Sequence, residues 1–341
     1  MLDLLVKGDV VLGHGVAQNG AVGVADGKVA GLYASPSAAP AAKETVDAQG
    51  CLIYPGMVDA HVHCHSNQAE TIELATQAAA AGGVTTILDM PYDIGAPVNT
   101  VEVFRAKVNL IRQVARVDVA MLATLRKRAE PAEVEPLVRE GACGFKMSVY
   151  ETDPDRFPRI DDDVLWQVLP EIARWKVPVG FHAEIDLIIE DLMARAKRAG
   201  RVAPLDHYHT RPPASETLAV LKLLELAYWT KVKLHVFHAS QPRSVELVEW
   251  FRAQGVDVSR RPAPTICCWT PRRISPGPKA WPRSIPASRC RRSAKGYGPM
   301  SWPGGSTSSR PTTPPGSWSA NRRRTSSRTP RAPRVWRPVS P

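Results

Sequence analysis

Two histidines one residue apart, His61 and His63, stand with Asp59 in the run DAHVH. Side chains alternate along an extended strand, so both imidazoles share one face and can close on a single metal ion. Either histidine alone would read more simply as a core residue satisfied by a hydrogen bond. Two further histidines shift that balance, because His182 in GFHAE and His238 in HVFHAS also end short apolar runs. Lys146, in ACGFKMS, ends another. A lysine taken at random lays its stem on the surface and keeps its charge in water. An ammonium among metal-bound imidazoles is unfavourable unless its charge is removed. Reaction with CO₂ removes it and leaves an anionic, carboxylate-like group able to bridge two divalent ions about 3.5–4 Å apart.

The elements that must position these groups are short apolar runs alternating with amphipathic stretches. LIYPGMVDAHVH, TTILDMP, VDVAMLATL, ACGFKMSVY, VPVGFHAEI and VKLHVFHAS are the candidate strands, with helices such as IELATQAAAAGG and SETLAVLKLLELAYW between them. Six β/α units in a row predict a parallel sheet, and short connections favour a (β/α)₈ TIM-type barrel truncated after about six units, over residues 51–258. In such a barrel the C-terminal strand ends meet at one mouth, which would gather the histidines and Lys146 from strands one, four, five and six. Residues 1–50, with short β-rich runs broken by Gly and Asp-Gly turns, predict a small N-terminal β-sandwich portion.

Charge divides the 341-residue chain sharply. Residues 259–341 hold 18 Lys and Arg, no Asp or Glu, and 16 of the 31 prolines. That leaves 26 Lys and Arg against 33 Asp and Glu before Ser259, so the body carries −7 and the tail +18. The tail has neither helical nor strand periodicity, and disorder is expected there. A basic Pro/Arg-rich arm could bind nucleic acid in a salt-dependent way, a partner this reading holds unlikely to have been selected. No run approaches the roughly 18 apolar residues of a membrane span, and the start MLDLLVKGDVVLG lacks the basic region and cleavage site of a leader. The six cysteines show no disulfide-like or CxxC spacing. No membrane partner and a cytoplasmic location are therefore expected.

PGMVDAHVH, AAAAGGVTTILDMP, GACGFKMSVYETDPDRFPRIDD, VPVGFHAE, the RPP of Arg211–Pro213 and KLHVFHAS, in that order, resemble the cyclic amidohydrolases of the dihydroorotase, hydantoinase and allantoinase group from about Leu2 to Ser259. The resemblance implies an enzyme of the EC 3.5.2 type that opens a small cyclic amide such as allantoin, hydantoin, a dihydropyrimidine or dihydroorotate. It implies two divalent ions, most simply zinc: one on His61 and His63, the other on His182 and His238, bridged by Lys146 carboxylated on its amine. It also implies a homo-oligomer. Tyr150 is a candidate substrate-binding donor to the developing oxyanion, though a packing role is about as good an account. After the HxH the chain reads CHSNQAE rather than the family's arginine-containing loop, which leaves the ring open; Cys64 and His65 there read as loop residues.

The family's later motifs are absent as written, yet one shift of reading frame near Ser259 restores them. If each original codon was the last base of one residue plus the first two of the next, SRRPAPTICCWT (Ser259–Thr270) permits AETCPHYLLLD. AKGYGP (Ala294–Pro299), begun one residue earlier at Ser293, then permits REGLW, and SSRPTTPP (Ser308–Pro315) permits VASDHAP. Under this reading 259–341 is an out-of-frame tail. No catalytic residue is identified in frame, because the codon of the family's proton-transferring aspartate straddles Pro311 and Thr312. The alternative is a non-catalytic relative that oligomerises with intact subunits.

Overall fold

A computed structural model describes residues 1–262, which fall into two compact units that part between Gly56 and Met57. The expectations placed on residues 263–341, including the back-read motifs and the disordered tail, lie outside the described residues.

The first unit is one four-stranded sheet in the order β3-β2-β1-β4, from β1 (Leu2–Leu12), β2 (Gly15–Ala25), β3 (Lys28–Tyr33) and β4 (Ala42–Ile53). Asp26 (φ 51°) and Gly27 (φ 73°) make the β2–β3 turn, the positive-φ pair that a tight two-residue hairpin requires and that Asp-Gly supplies. The expected N-terminal β-rich portion is present, and the described residues form one layer of it. There is a single sheet, and β4 runs parallel to β1, with Leu2 opposite Ala42. The cause is the connection: the chain leaves β3 at one edge, passes a short turn at Pro36–Ala38 and crosses the sheet to its other edge, which a hairpin cannot do. Leu52 and Ile53, read as the start of the first parallel strand, belong to β4.

The second unit alternates strand and helix. In order it contains β5 (Met57–Val62), α1 (Ile72–Ala81), β6 (Val84–Asp89), α2 (Val101–Val114), β7 (Asp118–Met121), α3 (Val134–Glu140), β8 (Phe145–Ser148) and α4 (Asp162–Arg174). There follow β9 (Pro178–His182), α5 (Asp186–Arg198), α6 (Pro204–His209), α7 (Pro213–Thr230), β10 (Lys233–Ala239), α8 (Pro242–Ala253) and β11 (Val258–Pro262). All pairings are parallel, in the orders β5-β6-β7 and β8-β9-β10-β11. A parallel bridge from Ala123 to Phe145 links β7 to β8. Each of the six runs read as a strand carries one. A seventh strand, β11, stands beyond the six expected units. Leu234 opposite Val258 sets its register and backbone groups continue the ladder to Pro262, so a strand forms across Ser259. Among the described residues no helix is long and apolar enough to cross a membrane.

Local signals explain the helices. Thr71 caps α1 by accepting from the Leu74 amide, and Thr100 caps α2 through the Val103 amide. Helix α2 buries Phe104, Lys107, Val108 and Ile111, one stripe at helical spacing with a lysine inside it. That lysine, its side chain only 5% exposed, stands 2.8 Å from Asp89 Oδ2 and 2.6 Å from Asp93 Oδ1. Burial alone would lower the Lys107 ammonium, but the two carboxylates outweigh it and hold it above its ordinary value. Lys107→Met should lower stability by about 3–5 kcal/mol, because two buried carboxylates lose their counter-charge. Denaturant unfolding measures this, and a change under 1 kcal/mol would show that the pair does not depend on the lysine.

A candidate metal centre at the ends of the parallel strands

The structure brings His61, His63, Lys146, His182 and His238 onto one cavity of about 160 Å³, lined also by Met90, Tyr92, Thr152 and Phe157. Strand β5 carries His61 and releases His63 just beyond its end, β8 carries Lys146, β9 ends on His182, and β10 carries His238. Ring centroids lie 5.3 Å apart for His61 and His63, 6.0 Å for His61 and His238, and 4.8 Å for His182 and His238. His238 has φ 39°, a left-handed conformation rarely adopted by non-glycine residues, and the β10–β11 register shifts beside it. The turn interrupts the alternation that places His235 and Phe237 on one face and would have put His238 on the other.

Nitrogen roles follow from hydrogen bonding at two of the rings. Ser66 Oγ donates to the Tyr92 carbonyl (3.0 Å), which can only accept, so its one hydrogen is committed. His63 Nδ1, 3.0 Å from the same oxygen, must therefore donate to it, leaving His63 Nε2 as the lone-pair nitrogen. At His182 the Glu184 carboxylate lies 2.8 Å from Nε2, so that nitrogen carries the hydrogen and Nδ1 the lone pair. Nε2 of His61 lies 3.3 Å from Nε2 of His63. Nitrogens bound at about 2.0–2.1 Å to one tetrahedral zinc would stand roughly 3.3–3.4 Å apart, so this pair fits one ion. Among the described residues no three His, Cys, Asp or Glu side chains converge to hold an ion unaided. A site here must be built from histidine pairs and Lys146.

Lys146 is buried and its Nζ has no hydrogen-bond partner; it sits 3.8 Å from the centre of the Phe237 ring. Burial drives its amine well below the usual lysine value and so favours the uncharged form, the one that attacks CO₂. Burial, and then Lys146, also lower His63. His238 falls to about 2 through burial, then Lys146, His182 and His61, which keeps its ring neutral. Phe237 is admitted by Gly180 on the neighbouring strand, where a Cβ would land inside the ring. Gly180→Ala should therefore cost about 1–3 kcal/mol by overpacking, and Phe237→Leu should return part of it. Additive losses in the double variant would refute that contact.

Tyr150 does not line the cavity. Its ring centre is 5.6 Å from that of His182, and its hydroxyl accepts from Arg211 Nη2 at 3.3 Å, leaving the hydroxyl hydrogen free to donate. Cys64 is fully buried, its amide donates to Asp89 Oδ1, and burial raises its thiol far above the usual range, so it serves the core. His65 lies 3.9 Å from Asp93. Sequence reading missed Ser66, Tyr92, Thr152, Phe157 and Glu184. Of these only Glu184, two residues after a candidate ligand, and Ser66, three after another, carried a positional signal.

Residues 50–148 match the dihydro-orotase-like family. An allantoinase of Rubrobacter xylanophilus is 34% identical over 271 residues, 79% of this chain and 59% of that protein. An L-hydantoinase of Paenarthrobacter aurescens is 32% identical over 262 residues, 76% of this chain and 57% of that one. The solved L-hydantoinase (dihydropyrimidinase) from Arthrobacter aurescens superposes with a TM-score of 0.69 at 31% identity, covering 76% of this chain and 58% of that chain. The chain belongs to the cyclic amidohydrolase family. It spans less than two thirds of the length of these relatives. In this family member the histidines and Lys146 come from strands of the same parallel α/β unit, so the cluster depends on that unit alone.

Proposed function

We propose that this protein descends from a metal-dependent hydrolase of cyclic amides built on a (β/α)₈-type barrel. His61 and His63 would hold one divalent ion, His182 and His238 a second, and carboxylated Lys146 would bridge them; zinc suits imidazole and carboxylate ligands. The observation that carries this reading is the buried, unpartnered Lys146 amine amid four imidazoles, which is costly as a lysine and apt as a carbamate. When bound, such ions supply Lewis acidity toward a ring carbonyl and a water acidic enough to attack near neutral pH.

The chain's own residues would do the rest. The Lys146 amine adds to CO₂ and releases one proton, forming an N–C bond and an anionic ligand. Ser66 and Glu184 hold the proton on the nitrogen of His63 and His182 that faces away from ligation. Tyr150, its oxygen steadied by Arg211, stands outside the cavity lining and would have to turn inward to offer a hydrogen to a developing oxyanion. The relatives are an allantoinase and hydantoinases, which supports a neutral imide or ureide ring as the substrate class.

The frame break at Ser259 belongs to the same proposal. Two observations support it: similarity to the relatives extends over 262–271 residues of 341, and Arg260, on β11, has a buried Nε without a partner. The test is zinc content by elemental analysis together with ring opening of allantoin, hydantoin, dihydrouracil and dihydroorotate by a frame-restored chain. Two ions per chain and turnover of at least one ring are expected; no bound metal, or metal without turnover of any ring, would overturn the reading.

A further inference from the structure

Beyond the hold of Arg211 on Tyr150, the Arg-Pro-Pro run has no part in the chemistry above, yet its segment binds Glu184, the partner of His182, and the residues that follow His238. We infer that Arg211–Glu216 is a clamp that positions His182 and His238 together for the second ion; this rests on the two-ion reading. At one end, Arg211 Nε lies 3.7 Å from Glu184 Oε1, while Glu184 Oε2 binds His182 Nε2 at 2.8 Å. The guanidinium also reaches Tyr150 and His207, so it is fixed from three sides. Arg211 thereby holds the Glu184 side chain in place, and Glu184 Oε2, accepting from His182 Nε2, leaves the lone pair of that ring on Nδ1. Between the two ends, the Ser215 carbonyl accepts from the Ile185 amide at 2.9 Å, tying the segment to the chain leaving β9.

At the other end, Glu216 accepts from the backbone amides of Ser240 and Gln241, both at 3.0 Å, and from the hydroxyls of Ser240 and Ser244. These donors follow His238 by a few residues and open α8, whose own cap residue Gln241 makes no side-chain cap bond. A carboxylate from α7 thus sits at the entry to α8, where the helix dipole favours it, and ties down the two amides that precede its first turn. The backbone at His238 is left-handed, a conformation that persists only where surroundings over-determine it. Glu216 supplies that constraint from the C-terminal side. Two prolines fix φ at positions 212 and 213, and Pro212 caps α7, so the two ends cannot move independently. Arg211 and Glu216 are positioning residues; neither needs to touch substrate.

Stepwise zinc titration of the full chain against a chromophoric chelator tests this, with Glu216→Ala, Glu216→Gln, Arg211→Gln and Arg211→Lys. The weaker of two zinc steps should lose 10- to 100-fold in affinity in Glu216→Ala and Arg211→Gln. The step held by His61 and His63 should stay within about twofold of the unaltered chain, because the clamp reaches neither residue. Glu216→Gln, which keeps one acceptor oxygen, should recover part of the loss. Val248→Ala, a buried truncation on α8 away from the clamp, controls for stability and should leave both steps unchanged. Equal zinc binding by Glu216→Ala and the unaltered chain would overturn the clamp while leaving the two-ion reading intact. So would a matching loss in Val248→Ala, or both steps falling together. Failure of the unaltered chain to take up zinc would overturn the two-ion reading and the clamp with it.

Discussion

Restoring the reading frame at the codon for Ser259 should convert a chain without measurable turnover into a hydrolase of at least one cyclic amide. Two physical losses set the size of the effect. The first is chemical: under the frame-break reading the aspartate that shuttles the proton to the leaving nitrogen is absent, and such groups contribute on the order of 10²- to 10⁴-fold. The second is structural. Among the described residues β5 and β11 each pair with one strand only, and on β5 Met57 and Val58 are 55% and 67% exposed. Unpaired strand edges such as these invite association and frayed pairing. The restored chain should therefore unfold at a higher temperature as well as turn over. Both forms, loaded with zinc or manganese, are to be assayed on allantoin, hydantoin, dihydrouracil and dihydroorotate. Comparable rates from the two would mean that residues 259–341 are a genuine part of the enzyme.

Replacing Lys146 should separate stability from activity. In the frame-restored protein Lys146→Ala should lower kcat/KM by on the order of 10³-fold, since a bridged metal pair is worth several kcal/mol at the transition state. Formate, acetate or propionate should return part of that loss by supplying a carboxylate in the vacated space. In the metal-free chain the sign reverses. The amine is buried without a hydrogen bond, so Lys146→Met should raise stability by about 1–3 kcal/mol. Undiminished activity in Lys146→Ala, or no gain in stability in metal-free Lys146→Met, would show that the amine is neither a bridge nor a strained group.

The strands that carry the cluster were legible because period-two apolar runs and helical stretches alternate with few ambiguities, and because strand-end residues share one side of a parallel unit. His61, His63, Lys146, His182 and His238 could therefore be grouped from the strand pattern and given metal chemistry from their types, whereas the assignment of each histidine pair to its own ion required a resemblance. What stayed hidden has physical reasons. The left-handed turn at His238 is imposed by tertiary contacts, with no glycine or asparagine to announce it. Lys107 looks like any helix lysine until Asp89 and Asp93 are seen to meet it. The parallel β1–β4 pair depends on a crossover that local turn signals do not encode, and β11 forms by backbone pairing that tolerates arginine. Ser66 and Glu184 act through hydrogen bonds whose partners lie on other elements or depend on ring tautomers.

The central claim is that Lys146 carries CO₂ and thereby joins two ions. The chain reconstituted with zinc in ¹³C-labelled bicarbonate should show one carbamate carbon by NMR, present with two zinc ions per chain and absent in Lys146→Ala. Two bound zinc ions with no carbamate signal, or a signal that survives in Lys146→Ala, would contradict it.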